Sequence, residues 1–167
     1  ARAAELAAQS DVALVFAGMH EGFESEGHDR PDIALPGSQV ELINAVASAN
    51  PHTVVILNAG SPVEMPWLDQ VAAVLEAYYP GQEGGNAVAR ILLGEVNPSG
   101  KLTETFPIRL EDTPAFINYP GTRDVNYGEG IFVGYRYYDK KDVAPLFPFG
   151  HGLSYTQFDY ANLQAPN

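Results

Sequence analysis

Three short apolar runs separated by helical or turn-rich stretches restrict this chain to a narrow set of folds. VALVFA (Val12 to Ala17), HTVVILNAG (His52 to Gly60) and AAVLEAYY (Ala72 to Tyr79) are each too short for a core helix. They are apolar along their length rather than alternating, the pattern of strands buried on both faces of a parallel sheet. Between the first two, PGSQVELINAVASA (Pro36 to Ala49) sets Val40, Leu42, Ile43 and Val46 at helical spacing, with Pro36 acceptable near a helix start. The Ala-rich segment from Ala1 to Gln9 predicts a helix before the first strand, and Trp67 to Val71 a short helix before the third. After the third strand, GQEGG leads into NAVARILLGE, an amphipathic pattern closed by Gly94 and Asn97-Pro98. KLTETFP (Lys101 to Pro107) predicts one more strand. Strands alternating with helices at this spacing predict an α/β fold, a three-layer α/β/α sandwich on a mostly parallel sheet.

Beyond Pro107 the periodicity stops. Prolines and glycines are scattered among aromatics in NYGEGIFVGYRYYDKK and LFPFGHGLSY, which predicts ordered, aromatic-rich loop, since disordered chains are poor in such residues. QFDYANL then reads as an exit segment. The expected organisation is a sandwich domain over residues 1–150 and an exit or linker over 151–167.

Charge and composition narrow the function. With 21 acidic against 9 basic residues in 167, the formal net charge is −12, which repels nucleic-acid backbones and anionic membrane surfaces. No apolar run approaches the roughly 20 residues needed to span a bilayer. The absence of cysteine removes disulfides, zinc-thiolate sites and thiol nucleophiles without identifying a compartment.

The densest polar stretch, GMHEGFESEGHDR, directly follows the first strand, where open α/β sheets tend to place ligand sites. Glu24 and Glu26 are the candidate acids. Their i, i+2 spacing puts them on one side of an extended segment, and Gly27 allows a sharp turn. The competing reading is a solvated acidic loop. His20 and His28 among these carboxylates suggest metal ligation, but the spacing matches no known cage, so no metal is expected. Ser25 lacks a nucleophile elbow, and His151 lies far away in sequence. GQEGG lacks both a dinucleotide fingerprint and a phosphate-binding lysine, and reads as a tight turn beneath a helix start. Tyr127 to Tyr138 include aromatics able to stack on sugar rings, although packing is their commoner use. Trp67 reads as packing.

The stretches ESEGHDR, PGQEGGNAVARILLGEVNPSGKLTETFP (Pro80 to Pro107), YGEGIFVGYRYYD and PLFPFGHGLSYTQF resemble, in order and spacing, the C-terminal α/β-sandwich domain of family 3 glycoside hydrolases of the β-glucosidase type. The resemblance implies retaining hydrolysis of terminal β-D-glucosyl residues without a cofactor. A nucleophilic aspartate would come from a separate barrel domain, and a general acid/base glutamate from this domain's loop. Retaining enzymes hold two carboxyl groups roughly 5 to 5.5 Å apart, an arrangement two domains can supply jointly. Glu26 aligns with the family's E-G-Y-D-R pattern and is the implied acid/base. Glu24 is the second choice, or a neighbouring charge acting on Glu26. Gly27, Asp29 and Arg30 are expected to shape the loop, while His28 departs from the family's usual tyrosine.

The implied partners are a β-glucoside or oligosaccharide substrate and the barrel domain. The family's first strand and helix are also expected to precede Ala1, so the sheet is expected to show an open edge and an apolar face. The alternative is a non-catalytic sugar-binding or scaffolding module that keeps the packing motifs.

Overall fold

The computed structural model describes residues 2–165. Ala1, at the start of the first expected helix, and Pro166 and Asn167, at the end of the exit segment, lie outside the described residues. Four helices and three strands follow in the order α1 (Arg2–Ala7), β1 (Ala13–Gly18), α2 (Gln39–Ala49), β2 (Thr53–Asn58), β3 (Ala73–Glu76), α3 (Gly84–Leu92) and α4 (Tyr135–Lys141). The strands form one parallel sheet in the order β1-β2-β3. Val15 pairs with Val55, and Val55 with Val74.

Both crossovers pack on one face. Side chains alternate along a strand, so Val15, Ala17, Val55 and Leu57 point together into a core shared with Ile43 and Val46 of α2. The β2–β3 connection adds Val63, Met65 and fully buried Trp67 to this core and makes a 3-10 turn at Leu68–Gln70. Phe106 joins it from further along the chain. Burying side chains of this size contributes about 1.5–3 kcal/mol each.

Two polar residues set the frame. Buried Asn50 donates to the carbonyls of Ala7 and Ser10 and accepts from the His52 amide at 2.8 Å, tying α1 and the end of α2 to the start of β2. Gln39, on the first turn of α2, brackets the end of β1 by accepting from Gly18 N at 2.8 Å and donating to Gly18 O at 2.9 Å. A side chain at position 18 would place its Cβ 2.0 Å from the Asn58 carbonyl oxygen, so the last pair of the ladder requires glycine there.

Several expectations are corrected. β1 is not covered on both faces: Leu14 and Phe16 are 48% and 62% exposed on the side turned away from α2. β1 is an edge strand, in line with the expected open edge, with no partner on its outer side among the described residues. Lys101 to Pro107 is not a strand. Leu102 exchanges backbone hydrogen bonds with Gly150 and His151, and Phe106 with Leu146 and Phe147, leaving only a single antiparallel bridge. Pro148 between these contacts cannot donate to a ladder, which interrupts the pairing. The region beyond Pro107 is mostly irregular, yet residues 135–141 form α4. Its YRYYDKK sequence has no apolar stripe to announce it, and buried Tyr138 anchors it. The exit begins tied to the domain, with Ser154 Oγ donating to Pro98 O at 2.7 Å and Tyr155 N to Asn97 Oδ1 at 2.8 Å. Tyr160 and Leu163 are almost fully exposed.

Candidate active site

The loop after β1 leaves the sheet at its carboxyl end and turns at once. The amides of Phe23 and Glu24 both donate to His20 O, Gly22 N donates to His20 Nδ1 at 3.1 Å, and Phe23 packs edge-on against the imidazole at 4.8 Å. His20 therefore builds the turn. Among the described residues, no group of three or more His, Asp or Glu side chains converges as a metal cage.

The turn delivers Glu24 onto the ends of the neighbouring strands. One carboxylate oxygen accepts from Ser61 Oγ, and the other accepts from Gly60 N at 2.9 Å and from the Tyr79 hydroxyl. Gly60 and Ser61 follow β2, and Tyr79 follows β3. Arg30, at the far end of the loop, comes back to the same point: its Nη1 lies 3.6 Å from Glu24 Oε1 and donates to Ser61 Oγ at 2.6 Å. The two ends of the segment thus meet in one clamp (Glu24, Ser61, Arg30), with both charged side chains about five-sixths buried. A Cβ at position 60 would sit 2.5 Å from the Tyr79 ring, so glycine permits the approach of Tyr79 to Glu24.

Burial by itself would raise the Glu24 carboxyl. The hydroxyls of Ser61 and Tyr79, the Gly60 amide and the Arg30 guanidinium outweigh it and hold the group below the usual carboxylate range. Tyr79 responds in the opposite sense, its phenol raised chiefly by the hydrogen bond to the Glu24 carboxylate. A carboxylate so engaged is an anchor and has no proton to give at neutral pH.

Glu26 stands two residues away under different conditions. It is exposed, as are Ser25, Gly27, His28 and Asp29, and takes part in none of the hydrogen bonds or ion pairs that fix the loop. Asp29 lies beside Tyr119 of the aromatic-rich segment, and its carboxylate raises the Tyr119 phenol. The tip carrying Glu26 lies between the two ends of the segment that the clamp holds, Glu24 before it and Arg30 after it. His151 stacks on Phe147 with ring centroids 4.9 Å apart, and no hydrogen bond links it to Ser25.

Beneath the clamp lie two carboxyls that the sequence does not single out. Burial pushes Glu76, the last residue of β3, up to about 7 against the Tyr78 amide, which donates to its Oε1 at 2.8 Å, and the charges of Glu24 and Glu104 add to the rise. Its Oε2 is buried without a partner. Glu104 is raised by burial and by the Glu24 charge. Ser61, Tyr79 and Glu76 were all discoverable from one signal: each lies at or just beyond the carboxyl end of a parallel strand.

Comparisons with known proteins agree with this architecture. The glycosyl hydrolase family 3 C-terminal domain model matches residues 1–155. The chain is 57% identical over 162 residues to thermostable beta-glucosidase B of Acetivibrio thermocellus, covering 96% of this chain and 22% of that protein. It is similar in structure to a beta-glucosidase from Kluyveromyces marxianus in complex with glucose, with a TM-score of 0.91 and 49% identity, covering 93% of this chain and 19% of that one. A beta-glucosidase from Streptomyces venezuelae in complex with D-glucose gives a TM-score of 0.87 at 52% identity, over 93% of this chain and 20% of that one. The chain spans about a fifth of the length of these relatives.

Proposed function

Because the chain belongs to the glycosyl hydrolase family 3 C-terminal domain family, we propose that it supplies the general acid/base of a retaining β-glucosidase, and that Glu26 is that residue. The nucleophilic aspartate and most of the pocket for the glucosyl unit then reside on a separate barrel domain. The exposed exit beyond residue 150 leads toward a further domain.

The observation that carries this reading is the division of labour on the loop. Glu24 is consumed by four partners, while Glu26 is presented free at the tip. An acid/base group must accept and release a proton in each cycle, so its oxygens cannot be committed to structure. A glutamate on a tip held at both ends can reach across a domain interface to a bond whose far side faces a second carboxylate. In the first step Glu26 protonates the glycosidic oxygen as the bond to the anomeric carbon breaks. In the second it takes a proton from water attacking the glycosyl-enzyme. Gly27, His28 and Asp29 sit beside it at the tip, Arg30 with Ser61 fixes its trailing end, and Glu24 fixes its leading end.

The test is Glu26→Ala in the full-length enzyme, assayed with cellobiose and with an aryl β-glucoside whose leaving group needs no protonation. General acid catalysis contributes about 10²–10⁴-fold, so the rate on cellobiose should fall by that factor and far more than the glycosylation rate on the activated glucoside. Equal rates for variant and wild type on both substrates would leave Glu26 without this role.

A further inference from the structure

An open cavity of about 320 Å³ is lined by Arg30 and Ser61 of the clamp and by segments distant in sequence, among them Ile33, Glu104, Thr105 and Tyr138. Two of its lining residues carry buried polar atoms with no partner, Arg30 Nη2 and Thr105 Oγ1. Thr105 is nine-tenths buried. Such atoms cost about 1–3 kcal/mol each when left unsatisfied, and two on one cavity mark a place built for a hydrogen-bonding occupant. Single waters repair isolated orphans, but this volume is about ten times the share of one water and lies at the lower end of the roughly 300–1,000 Å³ typical of small-molecule sites.

The lining selects the chemistry. Arg30 and Thr105 offer donors, and Glu104 on the same wall offers an acceptor. The positive charge of Arg30 is already shared with Glu24, and Glu104 and Glu76 add acidic character nearby, which disfavours an anion. Apolar surface from Ile33 and the Tyr138 ring completes the wall. A guanidinium donor, a hydroxyl, a carboxylate and an apolar flank together match the vicinal hydroxyls and C–H faces of a neutral sugar.

We propose that this cavity is a sugar-binding subsite of the domain, taking a neutral pyranose with its hydroxyls on Arg30 Nη2, Thr105 Oγ1 and the Glu104 carboxyl. The proposal rests on the β-glucosidase reading. Because Arg30 also closes the clamp, occupancy here bears on the loop that carries Glu26. The pyranose is either the leaving sugar of the substrate or free sugar product.

The experiment uses the full-length enzyme with Thr105→Val and Glu104→Gln. It measures the ratio of kcat/KM for cellobiose to that for 4-nitrophenyl β-D-glucoside, together with inhibition by glucose. If the leaving sugar occupies the cavity, the ratio falls about tenfold in either variant, the effect of one lost hydrogen bond in a buried site. If free sugar occupies it, the ratio holds and the glucose concentration for half-inhibition rises by a similar factor. An unchanged ratio and unchanged inhibition in variants with wild-type melting temperatures overturn the proposal. Should either variant fail to fold, a wild-type crystal soaked in glucose decides: a pyranose within hydrogen-bond distance of Thr105 Oγ1 supports the subsite, and water alone overturns it. The acid/base assignment fails separately, through Glu26→Ala retaining full activity on cellobiose.

Discussion

The stem and the tip of one loop place two glutamates, two residues apart, in opposite circumstances. At the stem, Glu24 is about five-sixths buried and is held by Ser61, Gly60, Tyr79 and Arg30. At the tip, Glu26 is exposed and engages nothing in this domain. Charge, side-chain length and sequence neighbourhood are shared, so the difference comes from the sheet beneath. The carboxyl ends of β2 and β3 offer donors at Gly60, Ser61 and Tyr79, and of the two glutamates only Glu24 reaches them. A carboxylate fixed in this way provides geometry, and its unfixed neighbour is the one proposed here for chemistry.

The comparison is broken most severely at the tip. Glu26→Ala is expected to lower cellobiose turnover in the full-length enzyme by about 10²–10⁴-fold with little change in melting temperature, because it removes no contact within this domain. Glu24→Ala should do the reverse. It leaves Arg30 with Ser61 as its remaining partner and releases the leading end of the loop, with an expected cost of about 1–3 kcal/mol by thermal or denaturant unfolding and a smaller loss of activity, similar for activated and unactivated leaving groups. Equal selectivity for leaving group in the two variants would erase the distinction between stem and tip.

Acidity sharpens the contrast. The folded-state acidity of Glu24 is shifted down, so the unfolded chain binds its proton more readily. The stability it contributes is present above the ordinary carboxylate range and is lost as pH falls through its depressed value. Glu76 is shifted the other way, to about 7, so its contribution falls as pH rises from the ordinary range to about 7. Glu76→Gln should therefore flatten the decline in melting temperature between about pH 5 and 8, while Glu24→Gln should flatten the loss on acidification. The smallest expected effect is Tyr79→Phe, which removes one hydroxyl from Glu24 on a largely exposed side chain. A loss of at most about 1 kcal/mol is predicted by denaturant unfolding.

The sheet was legible because its strands carry short, continuous apolar runs: β1, β2 and β3 lie within Val12 to Ala17 extended by Gly18, His52 to Gly60 and Ala72 to Tyr79. α2 was legible from its helical period, and α3 from its period and the closing Gly94. The segment from Lys101 to Pro107 was misread because strand-like composition says nothing of whether a partner can donate, and Pro148 cannot. α4 was missed because packing of Tyr138, rather than an apolar period, holds it. At the site, composition located the loop and left Glu24 and Glu26 unresolved. Their separation depends on Ser61 and Tyr79, which are 37 and 55 residues from Glu24 and reach it only through strand pairing. The open face of β1, with Leu14 and Phe16 exposed, fits the expectation of an apolar face, although those residues gave no sign of it when read as a fully buried strand.

The central claim, that Glu26 acts on protons and Glu24 on position, is tested most directly by azide rescue of the two alanine variants in the full-length enzyme, with an activated aryl β-glucoside as substrate. Azide needs no general base to attack the anomeric carbon of a glycosyl-enzyme, where it releases the nucleophilic carboxylate and forms a β-glucosyl azide. The account predicts that azide restores turnover of Glu26→Ala with that product and leaves Glu24→Ala unaffected. Rescue of Glu24→Ala with none of Glu26→Ala would exchange the two roles and contradict the account.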